Sequence, residues 1–178
     1  MLLNFILNNI LIVVFIFSFI LLIPLMLFFI LPWLFGAPYE PTEEQKIKKI
    51  IKLAEISKKD KVADLGSGDG RIVIEMAKAG AKESHGFEIN PILVWLSRRK
   101  IKKLGLEKKA FIHWKNFWKT SFKEYNVVVL FQFSTIMNKL KRKLKKELKK
   151  NSKIISYYWK FPKWKPVKTK ENIYLYIT

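Results

Sequence analysis

The chain changes its hydrophobic pattern once, sharply. Its first 39 residues carry no charged side chain, and Phe5 to Leu34 is almost continuously apolar. That run exceeds the roughly 20 residues that span a hydrocarbon core, so it predicts a transmembrane helix, with Pro24 as a kink and Pro32–Trp33 at the interfacial end. A cleaved signal peptide is the competing reading, disfavoured by the length of the run and the lack of a basic leader. GAPYEPT, residues 36–42, is a proline-rich linker that ends the helix. The expected organisation is therefore an anchor and linker over 1–39 and a domain over 40–178.

Beyond the linker the pattern alternates between helical and strand periods. Thr42 followed by Glu43 to Gln45 predicts a helix start, with Ile47, Ile50, Ile51 and Ala54 on one face as far as about Ile56. Lys46, Lys48, Lys49 and Lys52 fall opposite, either solvated or facing anionic headgroups. Strands are expected at 61–65, 84–90, 110–114, 125–133, 152–158 and 173–177. Helices are expected at 72–78, from Pro91 to Gly105 with Ile92, Leu93, Trp95, Leu96 and Leu104 as its apolar face, and over 135–150 with Leu140, Leu144 and Leu148 in line. Such alternation is that of an α/β, Rossmann-like fold, a mostly parallel sheet with helices on both faces.

The chemistry concentrates at KVADLGSGDGRIV, residues 61–73. An apolar run passes through Asp64 into Gly66, Ser67, Gly68, Asp69 and Gly70 and then into a helical pattern, which reads as strand, glycine turn, helix. The dinucleotide pattern GxGxxG is not met, because Arg71 stands where its third glycine would be. A pyrophosphate here would face Asp64 and Asp69, whereas S-adenosylmethionine brings an ammonium and a sulfonium that carboxylates favour. Glu88 ends the next strand about 20 residues on, the separation at which a βαβ unit delivers a carboxylate to a ribose.

Charge and composition narrow the classes. There are 34 Lys and Arg against 14 Asp and Glu, a net charge of +20, with Arg71, Arg98, Arg99 and Arg142 the sole arginines. A lysine excess of this kind is partly compositional and names no partner by itself. Since every basic residue lies after the apolar run, the expected topology has the N-terminus outside and the domain on the cytoplasmic or matrix-like side. Without cysteine the chain has no disulfide, thiolate metal site or Cys nucleophile. His85 and His113 read as structural residues with no second ligand nearby, and no metal site is expected. Lys139 to Lys150 could grip nucleic acid or acidic lipid, or form a solvated outer face. Trp114, Phe117 and Trp118 could stack on adenine or line an amine pocket, although core packing explains most of them.

DLGSGDGRIV, GFEINP and the strand order resemble the seven-β-strand methyltransferases. The N-terminal helix, PYEPT, EINPILVWLSR, NFW, NKLKRKLKKEL and FPKWKP together resemble the membrane-anchored lysine methyltransferases whose mitochondrial members act on the ATP synthase c-ring protein and the adenine nucleotide translocase. That resemblance implies that Asp64 and Gly66 to Gly70 hold the methionine part of S-adenosylmethionine, Glu88 the ribose, and Asn116 with Phe117 the adenine. Pro41 and Thr42 match the segment that closes over the cofactor. Asn116 stands where aspartate is usual, Glu40 where an apolar residue is, and Phe131 to Ser134 departs from the family sequence after the fourth strand.

The expected activity is N-methylation of a lysine of a membrane protein near the bilayer surface, with no catalytic base identified. A lipid or quinone methyltransferase and a non-catalytic cofactor-binding membrane protein are the alternatives. A nucleic-acid substrate is disfavoured because LFQFS lacks the D/N-PP-Y/F motif that enzymes acting on exocyclic amines share.

Overall fold

A computed structural model describes residues 2–35 and 40–178, with side chains over 7–26 and 40–178. The linker residues 36–39 and the side chains of Phe5, Pro32, Trp33 and Leu34 lie outside the described residues. The chain divides into two units, Met1–Pro38 and Tyr39–Thr178. The first holds helix α1 (Leu2–Phe35), whose stretch Leu7–Met26 is long and apolar enough to cross a membrane.

The second unit runs α2 (Glu44–Ala54), β1 (Lys61–Leu65), α3 (Arg71–Lys78), β2 (Glu83–Glu88), α4 (Pro91–Lys103), β3 (Ala110–Trp114), β4 (Val127–Leu130), α5 (Ser134–Glu147), β5 (Lys153–Tyr157), β6 (Lys168–Lys170) and β7 (Ile173–Ile177). Its seven-stranded sheet has the order β3-β2-β1-β4-β5-β7-β6, parallel from β1 to β5, with β7 antiparallel to both neighbours. The order reverses beside β1, so the C-terminal ends of β1, β2 and β4 share one crevice, where open α/β sheets bind ligands. One face of the sheet packs on α5, through Met137, Leu140 and Leu144 against Val128, Leu130 and Ile154. The other packs on α2 and α3, with Ile47, Ile50, Ile72 and Met76 against Val62, Val127 and Ile155. Strands β1 and β4 are buried on both faces, which is why β4 reads as a nearly unbroken apolar run and β1 carries only Asp64 among its buried residues as a polar one.

Four features differ from the sequence reading. The buried face of α4 is Leu93, Val94, Ser97 and Ile101, with Val94 and Ile101 packed against Ala110 and Ile112 of β3, whereas Ile92, Trp95, Leu96 and Leu104 are exposed and Arg99 stacks on the Trp95 ring. Ser97 is small enough to let α4 press onto the glycine turn, and that contact sets the helix rotation. Strand β6, a fully exposed Lys-Thr-Lys, has no apolar signal and exists because β7 offers it an edge. Three of the four lysines opposite the α2 core face have acidic partners: Lys46 and Lys49 both reach Glu171, and Lys48 pairs with Glu44. Finally, His85 and His113 are not isolated. Adjacent parallel strands bring His85 Nδ1 within 2.9 Å of His113 Nε2, while His85 Nε2 lies 3.1 Å from Glu83. Burial pushes both imidazoles below their usual pKa.

Candidate functional site

The site begins where β1 runs out. Leu65 is fully buried, and the next backbone groups turn across to β2, with Gly66 N and Ser67 N donating to Phe87 O at 2.9 and 3.2 Å. Gly66, Gly68 and Gly70 take φ of 78°, 54° and 78°, values that favour glycine. At two of them close packing forbids a side chain as well. A Cβ on Gly66 would lie 2.7 Å from Gln132 Nε2, and one on Gly70 would lie 2.9 Å from Ser97 Cβ. The Ser97 hydroxyl donates to Gly68 O at 2.9 Å, tying α4 to the turn.

Three carboxyl groups stand around this turn, and their surroundings separate them. Glu88 is held by backbone amides: Gly68 N donates to one oxygen at 2.9 Å, and Ile89 N and Asn90 N donate to the other at 2.8 Å each. Burial still raises its pKa against those bonds. Asp69 belongs to an ionic cluster, receiving Arg71 Nε at 2.8 Å, Arg71 Nη2 at 2.9 Å and Lys100 Nζ at 2.6 Å. Burial alone would push it up, but these bonds and charges hold it at about 2. Asp69 is therefore already neutralised within the protein, and the acidity of the turn comes from the other two.

Asp64 is the exception. It is 3% exposed, and no hydrogen-bond donor or cation among the described residues reaches it. Burial, then the charges of Glu88 and Asp69, push its pKa up to about 8. An unpaired carboxyl in such a place is costly unless a cation enters to meet it.

The other expected site residues arrive from three directions. Thr42 is buried, and its carbonyl accepts from Arg71 Nη1 at 2.9 Å, so the segment before α2 is tied through Arg71 to Asp69 in the turn; Pro41 beside it is exposed. Asn116 follows β3, and its Oδ1 accepts from Trp118 N at 2.9 Å, capping a short 3-10 turn over Phe117–Lys119. Phe117 is buried in the core under that turn, against Trp118. Trp114 is exposed, with Nε1 donating to Ile89 O at 2.9 Å. Lys115 N donates to Glu88 O at 2.9 Å, which fixes the segment after β3 beside the end of β2.

Two members of the site do not follow from the sequence pattern. Arg71 stands out there only by breaking the dinucleotide pattern, and its bridging role needs a partner 29 residues away in sequence. Gln132 lies just past β4, where its Nε2 donates to Leu65 O at 2.7 Å. The one signal that points to it is the departure of residues 131–134 from the expected sequence.

The turn thus offers a buried acid without a counter-charge, a second acid held at the end of β2 by backbone amides, and three glycines that admit close approach. This donor set fits a cationic small molecule carrying a polar sugar better than a polyphosphate.

Known proteins agree with that reading. A family model described as the ANTKMT methyltransferase domain matches residues 64–168, which include the acids, the turn and Gln132. The chain is 31% identical over 130 residues to the adenine nucleotide translocase lysine N-methyltransferase of Mus musculus, covering 73% of this chain and 56% of that protein. It thus spans a little over half of that relative's length. A protein-lysine N-methyltransferase of Saccharolobus islandicus is 34% identical over 149 residues, covering 79% of this chain and 92% of the relative. Among solved structures, an RNA methyltransferase from Salinibacter ruber in complex with S-adenosyl-L-homocysteine superposes with a TM-score of 0.75 at 29% identity, covering 78% of this chain and 93% of the other. With the matched segment spanning well over half of its 178 residues, the chain belongs to the ANTKMT methyltransferase domain family.

Proposed function

We propose that this protein is an S-adenosylmethionine-dependent methyltransferase that N-methylates a lysine of a membrane protein close to the bilayer surface. The observation that carries the cofactor assignment is Asp64, a buried carboxyl beneath a glycine turn with no partner among the described residues. When bound, the cofactor supplies an electrophilic methyl group. Asp64 meets its positive charge, residues 66–70 admit its methionine part, Glu88 receives the ribose hydroxyls, and Asn116 with the backbone around Phe117 borders the adenine. Pro41 and Thr42 form the segment that covers it, positioned by Arg71.

The remaining work for the chain is to desolvate and orient the acceptor amine, which must lose its proton before its lone pair is available. Burial and the excess of positive charge both lower an amine's pKa, so no dedicated base is required. The same positive field opposes a cationic substrate. Tethering by α1 offsets this, because confinement at the membrane raises the effective concentration of a membrane-borne lysine. The single-pass topology has the N-terminus outside and the domain on the cytoplasmic or matrix-like side. Anionic lipid contact falls to α5 rather than to the paired lysines of α2.

The relatives' names support a protein lysine as acceptor, while the Salinibacter ruber name and the net charge of +20 favour RNA as a second reading. The test is transfer of tritium from labelled S-adenosylmethionine by the detergent-solubilised protein into its native membranes stripped of endogenous activity, with RNA in a parallel reaction. Label in a protease-sensitive band supports the lysine reading. Label in the lipid extract or in RNA overturns it in favour of those substrates, and no label despite donor binding favours a binding-only protein.

A further inference from the structure

The C-terminal ends of β4 and β5 carry two features that donor binding does not use. The first is Gln132. Its amide is only 3% exposed, and the bond from Nε2 to the Leu65 carbonyl fixes its orientation, since a carbonyl can accept only from the NH2 group. Oε1 is left buried with no donor among the described residues. Buried polar atoms in that state are rare and point to an absent partner.

The second is Tyr158, which follows β5 with φ of 74°. A bulky side chain in the left-handed region is strained, and strain of this kind persists only where the surroundings over-determine it. Here Tyr158 N donates to Asn172 O at 2.7 Å, Trp159 N to Tyr157 O at 3.0 Å, and the Ser156 hydroxyl to Trp159 O at 2.6 Å. The outcome is a ring held 50% exposed within a run of aromatic contacts: Phe131–Tyr157 at 4.7 Å between centroids, Tyr157–Tyr158 at 6.3 Å and Tyr158–Trp159 at 5.2 Å. Phe131 is also the residue before Gln132, so the rim and the unmatched oxygen leave β4 together.

We infer that Gln132 Oε1 accepts a hydrogen bond from the ε-nitrogen of the acceptor lysine, and that Phe131, Tyr157, Tyr158 and Trp159 form the rim through which that side chain enters. The inference rests on the lysine reading above. An amide oxygen suits an N–H donor, and aromatic faces suit an alkylammonium and its apolar stem. Gln132 takes up no proton; the ammonium proton leaves to water, and the oxygen orients a remaining N–H so that the lone pair faces the donor side. Gly66 links the two halves, because its missing Cβ is what lets the Gln132 amide lie against the turn.

The test uses the full chain in detergent, tritium transfer into stripped native membrane vesicles, and donor affinity by calorimetry. Gln132→Leu is expected to lower kcat/KM for the vesicle acceptor by about tenfold or more while the Kd for S-adenosylmethionine stays within about twofold. Tyr158→Gly removes the ring and relieves the positive φ, so its Tm is not lowered; it is expected to raise the acceptor KM about threefold to tenfold with kcat within about twofold. A tenfold loss of donor affinity in Gln132→Leu places Gln132 in the donor half through its bond to Leu65 and overturns the inference, as does unchanged transfer in both variants. Should Gln132→Leu lose its thermal transition, Tyr158→Gly alone decides. A wild-type protein that labels only lipid or RNA fails earlier, before any variant, and removes the lysine reading together with this site.

Discussion

The crevice at the top of the sheet has two halves that treat polar groups in opposite ways. Around the ends of β1 and β2, two of the three acids are matched: Glu88 takes three backbone amides and Asp69 takes three bonds from cations. Among the described residues, Asp64 and the buried Ser67 hydroxyl are left without a partner. Around the ends of β4 and β5, the groups that matter are unmatched or strained, namely the Gln132 oxygen and the Tyr158 backbone. Backbone geometry builds the first half, and it suits a ligand of fixed shape. The second is built from side chains of residues 131–132 and 156–159, and only Gln132 among them touches the first, through the Leu65 carbonyl and Gly66.

The largest expected effect removes the unpaired acid of the first half. Asp64→Asn should weaken S-adenosylmethionine binding by more than about 100-fold in calorimetry, since a charge-assisted contact is lost. The same change should stabilise the empty protein. Because the folded pKa of Asp64 is raised, its contribution is favourable below about pH 4 and is lost as pH rises toward about 8. Relief at pH 8 should be on the order of 5 kcal/mol in urea unfolding. Loss of affinity without this gain would show that Asp64 has a partner in the empty state.

Next in size is the pH profile of donor binding. Below its pKa of about 8 Asp64 is protonated in the empty protein, and a cation entering beside it must displace that proton. Affinity should therefore rise with pH, by up to about tenfold per unit between pH 6 and 7.5. A flat profile would place the cation elsewhere.

Gly66→Ala joins the halves and should disturb both. The new Cβ would meet Gln132 Nε2 at 2.7 Å in a backbone with φ of 78°, so unfolding free energy should drop by about 1–3 kcal/mol. Acceptor KM and donor Kd should rise together, in contrast to the split expected for Gln132→Leu. The smallest effect belongs to Arg71→Lys, which keeps the charge beside Asp69 but cannot also reach the Thr42 carbonyl. Donor dissociation measured by stopped flow should quicken about threefold to tenfold, with stability changed by about 1 kcal/mol or less.

These halves also differ in how far the sequence revealed them. The glycine turn, Asp64 and Glu88 follow from local spacing, because a strand, a tight turn and a helix fix them within one βαβ unit. The five parallel strands and the line Leu140, Leu144, Leu148 follow from periodicity for the same local reason. What failed was anything decided by a distant contact. The rotation of α4 depends on Ser97 meeting the turn, the pairing of His85 with His113 depends on strand register, and β6 depends on an edge that β7 provides. Gln132 needed Leu65, 67 residues earlier, before its free oxygen meant anything.

The sheet order carries a consequence for how this domain comes into being. Strand β7, the last in chain order, does not close the sheet from outside but lies between β5 and β6. Until residues 173–177 have been synthesised, β5 has an open edge and β6 has no strand to pair with. A ribosome-bound chain would expose the backbone of Lys153–Tyr157 beside an unfinished core that Ile173, Leu175 and Tyr176 later fill. Completion of the sheet therefore waits on one five-residue strand rather than on the glycine turn that defines the site.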